Sequence, residues 1–161
     1  MKWTIGIAAT VVIGSLFILL ARQGQQPRPG EAFAIQGQEH IAVGASHPEY
    51  NSNPPTSGWH YGQPANWGIY QNELPDEQVL HNLEHGGIWI SYTDIDDAMK
   101  MALEKIAKAR SKIILAPRSK NDAPIVLASW GRLQKFQTFD EQAIRAFIDA
   151  NSNKSPEPFA N

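Results

Sequence analysis

The run His81-Asn82-Leu83-Glu84-His85 places two imidazoles four residues apart with a carboxylate between them. On a helix these positions lie one turn apart on one face, so both rings can reach a single ion, a spacing used by zinc sites. A third imidazole, His60, stands in Ser57-Gly58-Trp59-His60-Tyr61, where the glycine permits close approach and the flanking aromatics can fix the ring; a fourth, His40, follows a candidate first strand. Neutral nitrogens with one carboxylate suit Zn²⁺ or Cu²⁺, whereas Ca²⁺ and Mg²⁺ take oxygen. The expected metal set is therefore His60, His81 and His85, with His40 or Glu84 completing the shell and Zn or Cu as the ion.

Charge supports the same chemistry. Between Arg28 and Lys100 there is no lysine or arginine, yet this stretch holds all five histidines and ten of the sixteen carboxylates. Cationic side chains would repel a metal and protonated ones cannot ligate it. Residues 100–161 carry eleven basic and six acidic residues, a net +5 against −10 for residues 29–99. Part of this segregation is structural, because acids opening a helix and bases closing it complement the helix dipole. The basic residues are scattered without an aromatic-interleaved stripe, so no nucleic-acid partner is expected.

Other chemistries find less support. His-x-x-Glu-His is also the inverted zinc-protease motif, but Gly86-Gly87 interrupts the helix such enzymes need. No glycine-rich phosphate loop opens a helix, and Ser57 lacks a nucleophile-elbow context. The chain has no cysteine, which excludes disulfides, thiolate zinc sites and cysteine catalysis. Met99 and Met101, two apart on a helix, read as packing residues and not as a copper-binding pair.

The elements that must position these residues follow from periodicity. A helix is expected over about Asp76–His85, ended by Gly86-Gly87, and Gly87–Tyr92 then reads as a strand. Ile95, Ala98, Met99, Ala102, Leu103, Ile106 and Ala109 follow the i, i+3, i+4, i+7 template over about Asp94–Arg110, with Thr93 as the cap. Lys112–Ala116 and Pro124–Trp130 read as buried strands, and Leu133–Phe139 as an edge strand. Thr138 and Glu141 form a capping box for a last helix, about Asp140–Ala150. Trp89 and Trp130 read as core. The succession implies an α+β domain, a small, mainly antiparallel sheet with helices packed on one face. Ahead of it, His47–Leu74 is rich in proline, glycine and aromatics, a long loop with little freedom to lose.

The N-terminus has a different character. Trp3–Ala21 runs nineteen positions without a charge, roughly 28 Å as a helix, which matches a bilayer core. Leu19 occupies the outer small-residue position before Ala21, so an uncleaved anchor is favoured over a signal peptide. The expected organisation is a transmembrane anchor over 1–22, a flexible linker over 23–34, an extracytoplasmic domain over 35–150 and a flexible tail over 151–161. Basic residues flank both ends of the anchor, and export of the folded domain behind a single N-terminal apolar segment sets the orientation.

Taken together, Tyr50-Asn51-Ser52-Asn53-Pro54-Pro55-Thr56-Ser57-Gly58 with His60 and Tyr61, then His81-Asn82-Leu83-Glu84-His85-Gly86-Gly87, then Ser129-Trp130-Gly131-Arg132 resemble a bacterial membrane-anchored family designated domain of unknown function 3105. The resemblance covers about residues 38–150. It implies an N-terminal membrane segment and an extracytoplasmic domain, and brings no activity. His40, the Pro54–Gly58 run, His60, His81, Glu84, His85 and Gly86 match the family pattern; His47 falls outside it, and Trp59 stands where a proline is implied in many relatives. The leading expectation is a membrane-tethered metal-binding domain. Two alternatives stay open: a non-catalytic interaction domain using the Trp/Tyr/Pro loop toward a protein partner the sequence does not identify, and a metal-dependent hydrolase.

Overall fold

The computed structural model describes residues 28–160. The proposed anchor, Trp3–Ala21, lies outside these residues; among the described ones no helix is long and apolar enough to cross a membrane. Among the described residues, eight strands and three helices follow one another as β1 (Glu31–Ala32), β2 (His40–Ile41), β3 (His60–Tyr61), β4 (Gly68–Ile69), α1 (Asp76–Glu84), β5 (Ile88–Tyr92), α2 (Asp97–Lys108), β6 (Ile113–Pro117), β7 (Ile125–Ser129), β8 (Arg132–Phe136) and α3 (Glu141–Asn151). Six of the strands form one sheet in the order β1-β8-β7-β5-β6-β4, while β2 and β3 pair separately. The β1–β8, β8–β7 and β7–β5 pairs are antiparallel, and β5–β6 and β6–β4 are parallel. The expected α+β class with a mostly antiparallel sheet is what forms.

The helices do not share one face. Ile88, Ile90 and Tyr92 of β5 point, with Ile113, Leu115, Ile125 and Leu127, into a core shared with Leu103 and Ile106 of α2 and Ile144, Phe147 and Ile148 of α3. Trp89, Ile114, Ala116 and Ala128 point the other way, into a second core closed by Val79, Leu80 and Leu83 of α1 and by Tyr50, Trp67 and Tyr70 of the long loop. The physical reason lies in the strands themselves: β5 and β7 are buried at every position and β6 at all but its last. A sheet that is apolar on both faces must be covered on both. Trp89 and Trp130 lie in the core as expected. Met101 does not pack; it is exposed.

The boundaries shift for local reasons. Helix α2 begins at Asp97, not Asp94, and its cap is Asp96, which accepts from the Met99 amide at 2.7 Å, rather than Thr93. Asp94 has φ +49°, a left-handed turn that a helix cannot run through. Helix α3 is likewise capped by Asp140, accepting from the Ala143 amide at 2.9 Å, rather than by Thr138. The strand expected at the sheet edge, β8, is flanked by β1, with Glu31 opposite Leu133 and Ala32 opposite Arg132. The segment read as linker is thus tied to the sheet from Arg28 on: Arg132 donates to the Arg28 and Gly30 carbonyls at 2.8 and 2.7 Å, and Arg28 donates to Asn151. The segment after Asn151, read as a tail, also bonds back, from the Asn153 amide to the Gly86 carbonyl and from the Glu157 amide to the Glu84 carbonyl.

Candidate metal centre

Three short pieces of backbone bring the imidazoles together. In the parallel pair of β2 and β3, His40 stands directly opposite His60 and Ile41 opposite Tyr61, so the two rings project to one side. The register is fixed upstream by the Gly58 amide donating to the Gly37 carbonyl and the His60 amide to the Glu39 carbonyl, each at 3.0 Å. Gly58 has φ +117°, a conformation that favours glycine, and it sets the bend that turns His60 inward. The loop ahead of β3 is packed from Pro54 to Gly58. Its Ser57 hydroxyl accepts from the Gln36 amide, the Thr56 carbonyl accepts from the Gly131 amide, and the Tyr50 hydroxyl donates to the Trp59 carbonyl.

Helix α1 supplies the other side. Its C-terminal end carries His81, Glu84 and His85, and Gly86 at φ +83° stops it. Asn82, buried between them, locks the helix to the loop: its Oδ1 accepts from the Ala65 amide and its Nδ2 donates to the Ala65 carbonyl, both at 2.9 Å. At the other end Arg118 grips Asp76 with two bonds of 2.8 Å and reaches Asn53 at 2.7 Å, so helix and loop share one anchor. Asn82 and Arg118 went unread in the sequence, because nothing in local spacing marks which distant carbonyl or carboxylate a polar side chain will meet.

The ligand atoms of His40, His60, His81 and Glu84 all lie within 4.8 Å of one another, and those of Glu84, His85 and Glu157 form a second such group. His40 therefore stands with His60 and His81, while His85 falls in the second set, sharing Glu84; Glu157 was not foreseen. The His60 and His40 Nε2 atoms lie 3.0 and 3.7 Å from Glu84 Oε2. The His40 ring stacks on His81 at 4.9 Å and meets His60 edge-on at 4.8 Å. His60, His81 and Glu84 are buried, and His40, its side chain 55% exposed, forms the solvent side. His47 lies apart, bonded to Glu77 and the Pro48 carbonyl.

The protons on two of these rings are dictated by the main chain. His60 Nδ1 lies 2.7 Å from the Gly58 carbonyl, and His81 Nδ1 lies 2.7 Å from the Tyr61 carbonyl. A carbonyl only accepts, so each Nδ1 carries the hydrogen and each neutral ring presents a bare Nε2 lone pair to the cluster. For His60 that lone pair faces the lone pairs of a carboxylate at 3.0 Å. Two acceptors at that distance repel unless a proton or a cation lies between them. Main-chain carbonyls holding Nδ1–H are the usual outer support of metal-bound imidazoles.

Burial lowers the pKa of His81 below its ordinary value, partly opposed by the Tyr61 carbonyl and reinforced by the neighbouring imidazoles. Burial also lowers His85, against the pull of Glu157 and Glu84. Both rings are thus kept neutral, the form that ligates. The stability consequence has a definite sign: a depressed folded pKa means the unfolded chain binds protons first, so stability is full above about pH 6.5 and falls as pH drops below it. Thermal melts of the metal-free protein should show a falling midpoint between about pH 7 and pH 5. A midpoint that holds or rises over that interval would contradict the burial of these rings.

The family model described as Protein of unknown function (DUF3105) matches residues 43–161. The chain belongs to this family. No curated protein and no solved structure matches it.

Proposed function

We propose that this family member is a membrane-tethered, extracytoplasmic domain that binds a transition metal, Zn²⁺ or Cu²⁺, through His40, His60, His81 and Glu84. The observation that carries the reading is the 3.0 Å approach of the His60 Nε2 lone pair to the Glu84 carboxylate, with a ligand atom of His40 and of His81 within 4.8 Å of both. Metal–nitrogen bonds of about 2.0–2.1 Å in tetrahedral array place neighbouring donor atoms about 3.3–3.4 Å apart; the His60–Glu84 and His40–Glu84 separations of 3.0 and 3.7 Å bracket that spacing. Three imidazoles and one carboxylate favour a borderline-soft ion over Ca²⁺ or Mg²⁺. The tether and the extracytoplasmic location rest on the Trp3–Ala21 run.

The interaction-domain alternative would use what remains accessible of the loop: Tyr50, Trp67 and Tyr70 pack against the second core, while Trp59 and Tyr61 stay half-buried. Hydrolysis would need Glu84 as a free base, whereas this reading uses its carboxylate as a ligand beside His60 and His40. The test is metal analysis of the full chain purified without a polyhistidine tag. Zinc or copper at one equivalent per chain or more should survive dialysis. No retained metal, together with titrated Zn²⁺ and Cu²⁺ binding no tighter than to a His40→Ala/His60→Ala/His81→Ala chain, would overturn the proposal.

A further inference from the structure

The second group, Glu84, His85 and Glu157, has a construction of its own. His85 is the buried imidazole whose ring no carbonyl fixes: its side chain is 9% exposed, its Nδ1 is buried without a partner, and its Nε2 lies 3.0 Å from His81 Nε2 and 3.6 Å from Glu157 Oε2. Since His81 Nδ1 carries the hydrogen, His81 Nε2 can only accept, and in the metal-free protein His85 Nε2–H is the donor to it. An ion on His81 takes that acceptor away. His85 is then left facing two carboxylates with a hydrogen free to move to Nδ1.

Glu157 is delivered to this point by a strap with fixed register. The Asn153 amide donates to the Gly86 carbonyl at 2.9 Å and the Glu157 amide to the Glu84 carbonyl at 3.1 Å. A Cβ on Gly86 would stand 2.8 Å from Asn153 Cα, so glycine there lets the strap lie against the helix end. Lys112 clamps the far end, its Nζ donating to the His85, Pro158 and Ala160 carbonyls at 3.0, 2.8 and 3.2 Å. That ammonium is turned to main-chain oxygens, and the two carboxylates outweigh its charge. The Glu157 side chain is 52% exposed, which leaves this side open to an arriving ion.

We infer that His85, Glu157 and Glu84 form a second divalent-cation position, making the site a two-metal centre bridged by the Glu84 carboxylate and closed by the C-terminal strap. The inference rests on the first metal position proposed above. Carboxylate-bridged pairs of this kind hold their ions about 3.5–4 Å apart, a distance a single bridging carboxylate spans.

Zn²⁺ titration of the tag-free full chain by calorimetry, with metal content after dialysis, tests it using wild type, Glu157→Gln and His40→Ala. Glu157→Gln keeps the backbone bond to Glu84 and changes a half-exposed side chain, so its thermal midpoint should match wild type. The expected result is two equivalents for wild type and one for Glu157→Gln, with the remaining site weakened by His40→Ala. One equivalent in wild type, unchanged by Glu157→Gln, overturns the second position while the first stands. No equivalents in any chain overturns both.

Discussion

Replacing His40, His60 or His81 with alanine should weaken Zn²⁺ or Cu²⁺ binding at the first position by about 100-fold or more, since removing even a supporting partner of a ligand costs 10–100-fold. His40→Ala is the cleanest of the three, because its ring is half exposed and its loss leaves the core untouched. His60→Ala should lower stability as well, as it empties a fully buried ring position that meets Trp130 edge-on. His47→Ala is the control: its ring bonds Glu77 and the Pro48 carbonyl, away from the cluster. Competition with a chelating indicator dye would measure all four. Equal affinity in His40→Ala and His47→Ala would remove His40 from the site.

The largest stability effect should come from Arg118→Met. The guanidinium is 4% exposed, makes a two-point contact with Asp76 and reaches Asn53 and Asn121. It also lies over the Trp89 ring, 5.6 Å from its centroid. Removing one partner of a buried ion pair costs about 3–5 kcal/mol, because the other charge stays behind without compensation. Urea unfolding should register that loss. The exposed Arg145–Glu141 pair offers the contrast, since surface pairs are worth about 1 kcal/mol or less. An Arg118→Met loss no larger than that of Arg145→Ala would mean that Asp76 is already well solvated. It would also remove the anchor that joins α1 to the loop.

The parts of the fold that were legible are those with a period. The i, i+3, i+4 stripe of α2 and the apolar runs of β5, β6 and β7 were readable, and the unbroken apolarity of those runs is the physical reason that both sheet faces are covered. What escaped is local chemistry without a period. Two-residue strands such as β1 and β4 have no alternation to detect, and the Asp94 turn moved the start of α2 by steric conformation alone. At the site, the helical spacing of His81, Glu84 and His85 was readable, and the inward placement of His60 followed from its glycine and aromatics. The pairing of His40 with His60 was not, because parallel register depends on contacts such as Gly58 to Gly37 between segments about twenty residues apart. Glu157 was hidden in a segment whose composition, Ser-Pro-Glu-Pro, reads as tail; its place is set by the hydrogen bond from its own amide to the Glu84 carbonyl and by the Lys112 bonds to the Pro158 and Ala160 carbonyls.

X-ray absorption at the zinc edge, on the tag-free full chain loaded with one equivalent of Zn²⁺, tests the metal centre most directly. Three imidazoles and one carboxylate should give a four-coordinate nitrogen–oxygen shell at about 2.0–2.1 Å, with the outer-shell scattering of imidazole rings. A six-coordinate shell of oxygens without imidazole scattering would show that the ion sits elsewhere, and the histidines would then be hydrogen-bonding elements of the fold.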